Sequence, residues 1–436
     1  MRILHYSLGF PPARTGGLVE YALDLAETQA ATGNNVFFLY PGKINLLNKK
    51  VCVEEDKKSN VGFSVYSLIN SLPLPLFGGI KNPEDFMVHC SEKVYVNFLK
   101  KIKPDIIHVH TIMGIHREFF DATKKLGIKT IFTTHDYFGL APEPNFFYEG
   151  QSYIHENSEK KWMEIAEGAL PTWKLRIFQS KYYKYIRFIL KKIHIKKQTM
   201  QKNNMMQHSD VNMFRKEDLK GFLRLKQYYL SIFELIDFFH FNSTVSKSIY
   251  LESLSNINGK VISISNSRIK RRNTVRISKT DILNIGYIGP YKEYKGFFEF
   301  LKFAEIIKEN KKNKFHIYGS NDKVRIPYFI ENHGRYNAID FDEVFNSLDI
   351  LIVPSIWYET FGFIVAEALN FKVKVIVRDT VGAKDIVDQN FIFKKIEDIP
   401  GLMKKLDYYQ FRELKDIKKH SEELSRIYTK LIEEEQ

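Results

Sequence analysis

The sequence of 436 residues contains only two cysteines, Cys52 and Cys90, and no long apolar run. Two cysteines encode neither a disulfide framework nor a thiolate metal cluster. Charged residues interrupt the apolar stretches well before the roughly 20 residues that a membrane-spanning helix needs. The amino-terminal segment runs directly into a strand-like stretch without the cleavage pattern of a signal peptide. Together these absences predict a cytoplasmic protein without a transmembrane helix.

Acidic residues are also in deficit, because 51 Asp and Glu stand against 65 Lys and Arg and give a net charge of +14. Such an excess attracts nucleic acids, anionic lipids or phosphate-bearing substrates, and alone it does not distinguish among them. No nucleic-acid-binding motif accompanies the charge, so we predict no nucleic-acid partner. The length predicts two or three domains, each with an ample core.

The most informative stretch is 354–370, PSIWYETFGFIVAEALN. The apolar run before it predicts a buried parallel strand, which Pro354 and Ser355 end. Gly362 then allows a close backbone approach at the start of a helix, whose unpaired N–H groups favour a bound phosphate. Glu367 lies about a turn and a half into this helix, where it could accept hydrogen bonds from ribose hydroxyls. Glu359 would face the group attached beyond the phosphate.

This stretch resembles the signature of the retaining glycosyltransferases of family four, in which two glutamates bracket a Phe-Gly helix start. The resemblance implies an α/β fold of the GT-B type, two Rossmann-like domains with a cleft between them. It implies a nucleotide-sugar donor, UDP- or GDP-linked, with no other cofactor and no metal ion. It places donor-binding groups at Glu367 and at the helix start, namely Thr360, Phe361, Gly362, Phe363 and Ile364.

The amino-terminal segment has the order strand, glycine turn, helix and strand, which is a Rossmann-like unit. By the resemblance, Gly16 and Gly17 let the backbone approach the donor diphosphate and the acceptor. A β-branched strand over 129–134 ends at His135, and ligands of doubly wound folds bind beyond such strand ends. The family carries a catalytic-centre histidine here, so the resemblance assigns catalytic roles to His135 and Glu359. His108 and His110 are predicted to be structural, and 83–102 is predicted to form one helix.

The second half matches the family less completely at its diphosphate clamp. Lys295-Gly296 fits the family pattern, but Pro290 stands where the family has arginine, and proline offers neither charge nor donor. Lys292 could supply the missing charge as a point cation, without the bidentate geometry of arginine. Gly319 is a further residue expected near the nucleotide. The acidic triplet 340–342 resembles the metal motif of a different glycosyltransferase fold, but its surroundings do not fit, and no metal site is predicted.

We predict three segments along the chain. Residues 1–266 form the acceptor domain, with a helical basic insert at about 141–237. Residues 267–415 form the nucleotide-sugar domain, and the terminal helix of 416–436 crosses back to the first domain.

Within the insert, all charged residues of 173–202 are basic, and aromatic and branched apolar residues lie between them. This pattern is typical of a helix on an anionic membrane surface, and equally of a solvated helix whose apolar side faces inward. We predict docking on the inner face of the cell membrane, which would bring the cleft to a lipid-linked acceptor.

The predicted function is therefore retaining transfer of a sugar from a nucleotide-diphosphate sugar to a glycan or lipid-linked acceptor, in surface polysaccharide or capsule synthesis. Two alternatives remain open. Pro290 favours a non-catalytic nucleotide-sugar-binding subunit, and a nucleotide-sugar epimerase on the same fold would need no acceptor.

Overall fold

The computed structural model describes the chain except residues 58, 60, 76–77, 181–215, 271–281, 320–323, 336–339 and 435–436. Its strands form two large sheets of eight and six strands and a small two-stranded hairpin. The strands of the first sheet are β1 (Arg2–Tyr6), β2 (Asn35–Pro41), β3 (Cys52–Glu55), β4 (Ser64–Ile69), β5 (Ile106–Val109), β6 (Lys129–Thr133), β9 (Phe238–Phe241) and β10 (Gly259–Val261). The hairpin strands are β7 (Phe147–Tyr148) and β8 (Gln151–Ser152). The strands of the second sheet are β11 (Leu283–Gly289), β12 (Asn313–Gly319), β13 (Ile330–Gly334), β14 (Ile350–Val353), β15 (Lys374–Arg378) and β16 (Ile392–Phe393).

Helices alternate with the strands in both halves. The α-helices of the first half are Gly17–Ala31, Glu92–Ile102, Arg117–Lys125, Glu159–Gly168, Thr172–Gln179, Lys216–Phe233 and Thr244–Ser253. Those that follow are Phe297–Ile307, Phe341–Asn346, Phe363–Asn370, Ile399–Met403 and Ile417–Glu433. Short 3₁₀ turns lie at Pro83–Phe86, Ile154–Glu156, Glu293–Lys295, Gly382–Ile386, Gln389–Phe391, Ile396–Asp398 and Leu406–Tyr408.

Both sheets have the strand order of a doubly wound fold. The second sheet runs β13-β12-β11-β14-β15-β16, and the first runs β10-β9-β6-β5-β1-β2-β4-β3. The strand pairs are parallel except that β3 pairs antiparallel with β4 at one edge. In each sheet the connections reverse direction beside the first strand, which creates a crevice at the carboxyl ends, between β1 and β5 and between β11 and β14. The predicted α/β fold of two Rossmann-like halves is confirmed.

The carboxyl-terminal helix Ile417–Glu433 returns to the first half, where it lies against the helix Gly17–Ala31. The hydroxyl of Tyr21 is 2.7 Å from Nε2 of His420. Leu424, Tyr428 and Leu431 share one apolar cluster with residues of both halves. This helix therefore buries its apolar stripe against the first sheet while its start is attached to the second half.

The predicted helix over 83–102 is divided in two, a 3₁₀ turn at Pro83–Phe86 and an α-helix at Glu92–Ile102. A tertiary contact interrupts the helical pattern, because the carboxylate of Glu118 accepts hydrogen bonds from the backbone N–H of Cys90 at 3.3 Å and pairs with Nδ1 of His89 at 2.7 Å.

The basic segment predicted to dock on a membrane lies largely outside the described residues. The described part ends with the helix Thr172–Gln179 and Ser180, and Trp173 on that helix is exposed. Among the described residues, no helix combines the length and the hydropathy needed to cross a bilayer.

Candidate active site

A pocket of about 200 Å³ lies at the carboxyl ends of β11 and β14, in the crevice of the second sheet. Its floor is formed by the ends of the two strands and its wall by the start of the helix Phe363–Asn370. The lining residues are Tyr287, Ile288, Gly289, Pro290, Lys295, Ile352, Val353, Pro354, Ser355, Glu359, Gly362, Phe363 and Ile364. Several predicted donor-site residues thus surround one cavity at the place where doubly wound folds bind ligands.

Lys295 and Glu359 form an ion pair on the wall of this pocket, with 2.6 Å between Nζ and Oε1. The other carboxylate oxygen of Glu359 accepts a hydrogen bond from Ser355 Oγ at 3.0 Å, and Nζ of Lys295 lies 4.9 Å from the ring centroid of Trp357. Gly296 makes this placement of Lys295 possible, because a Cβ there would lie 1.8 Å from the carbonyl oxygen of Pro354. Its φ of 71° is also one that glycine adopts without strain.

The other positions expected near the diphosphate or the nucleotide are 290, 292 and 319, and they do not all lie at the pocket. Pro290 lines the pocket, and its carbonyl accepts hydrogen bonds from Tyr287 Oη at 2.7 Å and from the N–H of Lys292 at 2.8 Å. Lys292 is exposed and, within the described part of the chain, neither it nor Gly319 is among the lining residues. Gly319 instead packs against the backbone of Gly289, since a Cβ there would lie 1.9 Å from that carbonyl oxygen.

Glu367 is buried, and its carboxylate is held by residues of the linker at 266–268, which joins the two halves. Oε1 accepts hydrogen bonds from Asn266 Nδ2 at 3.2 Å and from Arg268 Nη1 at 3.1 Å. Burial raises the pKa of Glu367, and the neighbouring Arg268 opposes that rise. Arg268 also pairs with Glu20 of the first half at 3.0 Å.

Asn266 and Arg268 were missed as candidate site residues. Arg268 is the first residue of a cluster of basic residues, and that cluster was the available signal in the sequence. Arg268 therefore links Glu367, the predicted ribose-binding residue, to Glu20 of the first half.

Loops of the first half meet the start of the helix Phe363–Asn370. A Cβ on Gly17 would lie 3.1 Å from the ring of Phe363, and the ring centroids of Tyr21 and Phe363 are 6.4 Å apart. The hydroxyl of Thr360 donates a hydrogen bond of 2.8 Å to the carbonyl oxygen of His135. Gly17 and His135 therefore lie beside the start of this helix and the loop that carries Glu359.

Neighbouring contacts hold the same loop against the first half. Ser243 Oγ donates to the carbonyl oxygen of Thr360 at 2.5 Å. The N–H and hydroxyl of Thr244 both donate to the carboxylate of Asp385 at 2.6 Å. The cleft is therefore bounded by direct hydrogen bonds between the halves.

His135 is partly exposed, but its ring is packed against other rings, with 4.7 Å between its centroid and that of Tyr21. Burial lowers the pKa of His135 to about 3. Its imidazole is consequently neutral at physiological pH, and it can act as a hydrogen-bonding group of fixed orientation rather than as a cation. On the next residue, burial raises the pKa of Asp136 to about 7, although the N–H of Phe138 donates to its carboxylate.

A chain of buried polar side chains begins at the carbonyl oxygen of Ile262, which can only accept. His240 Nε2 must therefore donate to it, over 2.8 Å, and His240 Nδ1 accepts from Thr133 Oγ1 at 2.8 Å. The oxygen of Thr133 in turn accepts from His108 Nε2 at 2.6 Å. The remaining nitrogen, His108 Nδ1, accepts from the hydroxyl of Tyr428 at 2.6 Å. The direction of each hydrogen bond is determined by the one before it.

The chain continues from Tyr428 to the cleft. The hydroxyl oxygen of Tyr428 accepts a hydrogen bond from Gln29 Nε2 at 3.3 Å. This orientation of the Gln29 amide turns its Oε1 towards His5, and Oε1 accepts a hydrogen bond from His5 Nε2 at 2.8 Å. His5 Nδ1 then accepts from His110 Nε2 at 3.0 Å, and His110 Nδ1 lies 3.4 Å from His135 Nε2. This sequence of donors and acceptors places the proton of His135 on Nε2 and leaves its Nδ1 as an acceptor. His108 and His110, predicted to be structural, thus form part of the chain that orients His135.

A second cavity of about 400 Å³ lies where the insert meets the second half. Its lining includes Glu143, Phe147 and Tyr148 of the insert and Tyr294 of the second half. The aromatic side chains of this lining suit the apolar faces of a sugar, whereas both oxygens of the Glu143 carboxylate already accept hydrogen bonds from within the insert.

Two family models match the chain. The glycosyltransferase family 4 model matches residues 15–192, and the model of glycosyl transferases group 1 matches residues 268–409. Together they span both Rossmann-like halves. The chain belongs to the group 1 glycosyltransferases. The predicted family is confirmed, and the pocket with Lys295 and Glu359 lies within the region that the group 1 model matches.

Other proteins are similar to this glycosyltransferase in sequence or in structure. A Klebsiella pneumoniae protein described as an uncharacterized 42.6 kDa protein in the cps region is 23% identical over 319 residues, covering 71% of this chain and 67% of its own length. Among solved structures, sucrose-phosphate synthase from Thermosynechococcus elongatus is 14% identical with a TM-score of 0.52, covering 93% of this chain and 90% of its own. The catalytic domain of starch synthase IV from Arabidopsis thaliana, bound to ADP and acarbose, is also 14% identical with a TM-score of 0.52, covering 99% of both chains. At these identities the solved structures show the shared GT-B fold.

Proposed function

We propose that this protein transfers a hexose from a UDP- or GDP-linked sugar to a glycan or lipid-linked acceptor, with retention of configuration and without a metal ion. We place the reaction in surface polysaccharide or capsule synthesis. The observation that supports this most directly is the Lys295–Glu359 pair on the wall of the pocket, beside the helix start.

The ion pair suggests how the donor would bind. A diphosphate at the helix start would compete with Glu359 for Lys295, since phosphate is also an anion and the helix start adds unpaired N–H groups. Glu359 would then be released to accept hydrogen bonds from the hydroxyls of the sugar. Lys295 and the helix dipole would stabilise the charge that develops on the leaving diphosphate.

Retention follows in the proposal from a front-face displacement. The acceptor hydroxyl would form its bond to the sugar on the face from which the diphosphate leaves, and its proton would pass to the departing diphosphate oxygen. Glu359 is the one carboxylate among the described residues that line the pocket, and its proposed role in binding the sugar hydroxyls leaves no residue there to act as a nucleophile. His135, neutral and with Nδ1 as an acceptor, would contact the sugar across the cleft. The cavity lined by Glu143, Phe147, Tyr148 and Tyr294 would hold the acceptor.

The setting is proposed from the relative and from the charge of the insert. The Klebsiella pneumoniae protein is described as belonging to a cps region. The insert would dock on the cytoplasmic face of the membrane. Within the described residues, the basic segment begins with the exposed Trp173, and Nζ of Lys174 lies 5.4 Å from the centroid of its ring.

The first test is a thermal-shift screen of UDP-, GDP- and ADP-sugars, because a ligand that binds the folded state raises the melting temperature. Incubation of the stabilising sugar with an acceptor should release the nucleoside diphosphate, and proton NMR of the fresh product should show the anomeric configuration of the donor. Glu359→Gln should lower kcat more than it weakens donor binding. An inverted product would overturn retention, and donor-only turnover would indicate an epimerase. Binding without any turnover would support the non-catalytic alternative.

The membrane proposal has its own test, sedimentation with vesicles. Wild-type protein should bind phosphatidylglycerol vesicles and not neutral phosphatidylcholine vesicles, and binding should fall with added salt. Replacing Lys191, Lys192, Lys196 and Lys197 with Gln should weaken it. Binding that does not depend on lipid charge would contradict electrostatic docking, and no binding at low salt would contradict docking altogether.

A further inference from the structure

A second group of histidines lies on the outer edge of the second sheet. Edge strand β13 carries Glu331 and His333, two residues apart and therefore on the same face. His316 of the neighbouring strand β12 is in register with Glu331. The pairing of two parallel strands thus brings one carboxylate and two imidazoles together.

The potential ligand atoms are close enough to share one ion. His316 Nδ1 lies 3.1 Å from His333 Nε2 and 3.4 Å from Glu331 Oε2, and the third side, from His333 Nε2 to Glu331 Oε2, is 3.9 Å. Tetrahedral bonds of about 2.0–2.1 Å require ligand atoms about 3.3–3.4 Å apart. Small side-chain adjustments would bring the longest side to that distance.

The other nitrogen of His316 is already oriented as in metal sites. Asn284 Nδ2 donates to the Asp349 carboxylate at 3.0 Å, so Asn284 Oδ1 must accept from His316 Nε2, 3.2 Å away. The neutral imidazole of His316 therefore presents the lone pair of Nδ1 to Glu331 and His333. A hydrogen bond to the second ring nitrogen is the common means by which proteins orient a ligating histidine.

The ring of His333 is positioned as well, and the group is open to solvent. Tyr318 stacks on His333 with 4.4 Å between centroids and 8° between planes. The side chain of His316 is 9% exposed, that of His333 38% and that of Glu331 57%. An ion could enter from solvent, and water could complete its coordination.

A contrast within the first half strengthens the argument. His5, His108 and His110 also place nitrogens within 4.8 Å of one another. Their ring nitrogens, however, are used in the directed hydrogen-bond chain that ends at His135, and they are buried away from solvent. That group has a complete role without an ion, whereas the outer group combines an open face with a carboxylate.

We propose that His316, Glu331 and His333 bind a divalent transition-metal ion, of which zinc fits best. Two imidazoles and one carboxylate with an open fourth position form a ligand set that zinc accepts. The ion would tie edge strand β13 to β12 through their side chains. None of the three residues lines the donor pocket among the described residues, so this site is independent of the proposed transfer chemistry.

The test is calorimetric titration of zinc chloride into chelator-treated full-length protein prepared without a polyhistidine tag. We expect one saturable site, and a rise in melting temperature when zinc is added. His333→Ala and Glu331→Gln should each weaken zinc binding at least ten-fold and remove the thermal shift. Asn284→Ala should weaken binding by about 10–100-fold through loss of the hydrogen bond to His316.

His155→Ala is the matched control, because His155 is an exposed histidine 3.5 Å from the Glu252 carboxylate and has no part in the proposed site. It should leave zinc binding unchanged. The proposal is overturned if the wild-type protein has no saturable site, or if binding survives the double variant His333→Ala, Glu331→Gln.

Discussion

The first half of the molecule brings neutral rings to the cleft, whereas the second half brings paired charges. His135 stands at the end of a directed chain of buried side chains, and burial keeps its pKa far below the ordinary value. Across the cleft, Lys295 and Glu359 form an ion pair with 2.6 Å between Nζ and Oε1. In the proposed reaction, the first half would hold a fixed hydrogen-bonding geometry and the second half would supply the charge that binds an anionic donor.

Lowering the pH should reduce the free energy of unfolding, chiefly through the buried neutral histidines of the first half. The pKa values of His5 and His240 are about 4 in the folded protein, below the ordinary value of 6.5. Between these values the unfolded chain binds more protons, so the free energy of unfolding falls as the pH drops from 6.5 towards 4, by about 2 kcal/mol per such histidine at pH 5. The raised pKa of Asp136 acts in the opposite direction but offsets only part of this loss.

Chemical denaturation at pH 7.5 and pH 5 measures this loss. The control is His155→Gln, at an exposed histidine outside this buried group, and the loss of stability at pH 5 should persist in that variant. A stability that is unchanged at pH 5 would contradict the picture of neutral buried histidines.

His135→Ala tests the neutral half at the cleft itself. We expect transfer to fall by about 10³-fold, the upper range for loss of one preorganised hydrogen-bonding group. Circular dichroism should show an intact fold, because the substitution removes only the last side chain of the hydrogen-bonded series. If the variant unfolds, His135 is a structural residue and the catalytic assignment is wrong.

Lys295→Ala tests the charged half, with Lys292→Ala as the matched control on the same loop. We expect the first change to lower kcat about 10²-fold through loss of charge stabilisation of the diphosphate. The second should have a much smaller effect, since Lys292 is exposed and is not among the pocket-lining residues described. A larger effect at Lys292 would show that the clamp has moved along the loop, and no effect at either would favour the non-catalytic alternative.

Glu367→Ala should weaken donor binding by about 1.5–3 kcal/mol, because it removes a charged hydrogen-bond acceptor. Arg268 keeps its partner Glu20 in this variant, so the fold should persist. Calorimetry with the stabilising nucleotide sugar measures the change. Unchanged donor affinity would mean that Glu367 only anchors the linker through Asn266 and Arg268.

Of these variants, Tyr428→Phe should have the smallest effect on transfer. It tests whether the series of hydrogen-bonded side chains orients His135. The change interrupts the chain between Gln29 and His108, so the proton position of His135 is no longer imposed. We expect kcat to fall several-fold while donor affinity is unchanged. Tyr408→Phe, at a tyrosine that is 80% exposed, is the control. Equal effects of the two variants would contradict a positioning role for the chain.

Local patterns were sufficient to predict the strand, loop and helix that surround the pocket of the second half. A Pro-Ser stop, a glycine and an apolar helix lie within 354–370, directly after the apolar strand, and their positions follow from neighbours in sequence. The pairing of Lys295 with Glu359 could not be predicted in this way, because the two residues are 64 positions apart and Gly296 brings them together only by packing against Pro354.

The sequence by itself determined the family, the doubly wound character of both halves and the positions of His135, Glu359 and Glu367, because strand ends and helix starts are written in local order. Only the tertiary structure decided which charges meet, that Arg268 holds Glu367, and that a helix from the end of the chain supplies Tyr428 to a histidine chain inside the first sheet. The physical reason is that a hydrogen bond depends on distances of about 3 Å between side chains. Residues hundreds of positions apart reach such distances only after both sheets and the terminal helix have packed.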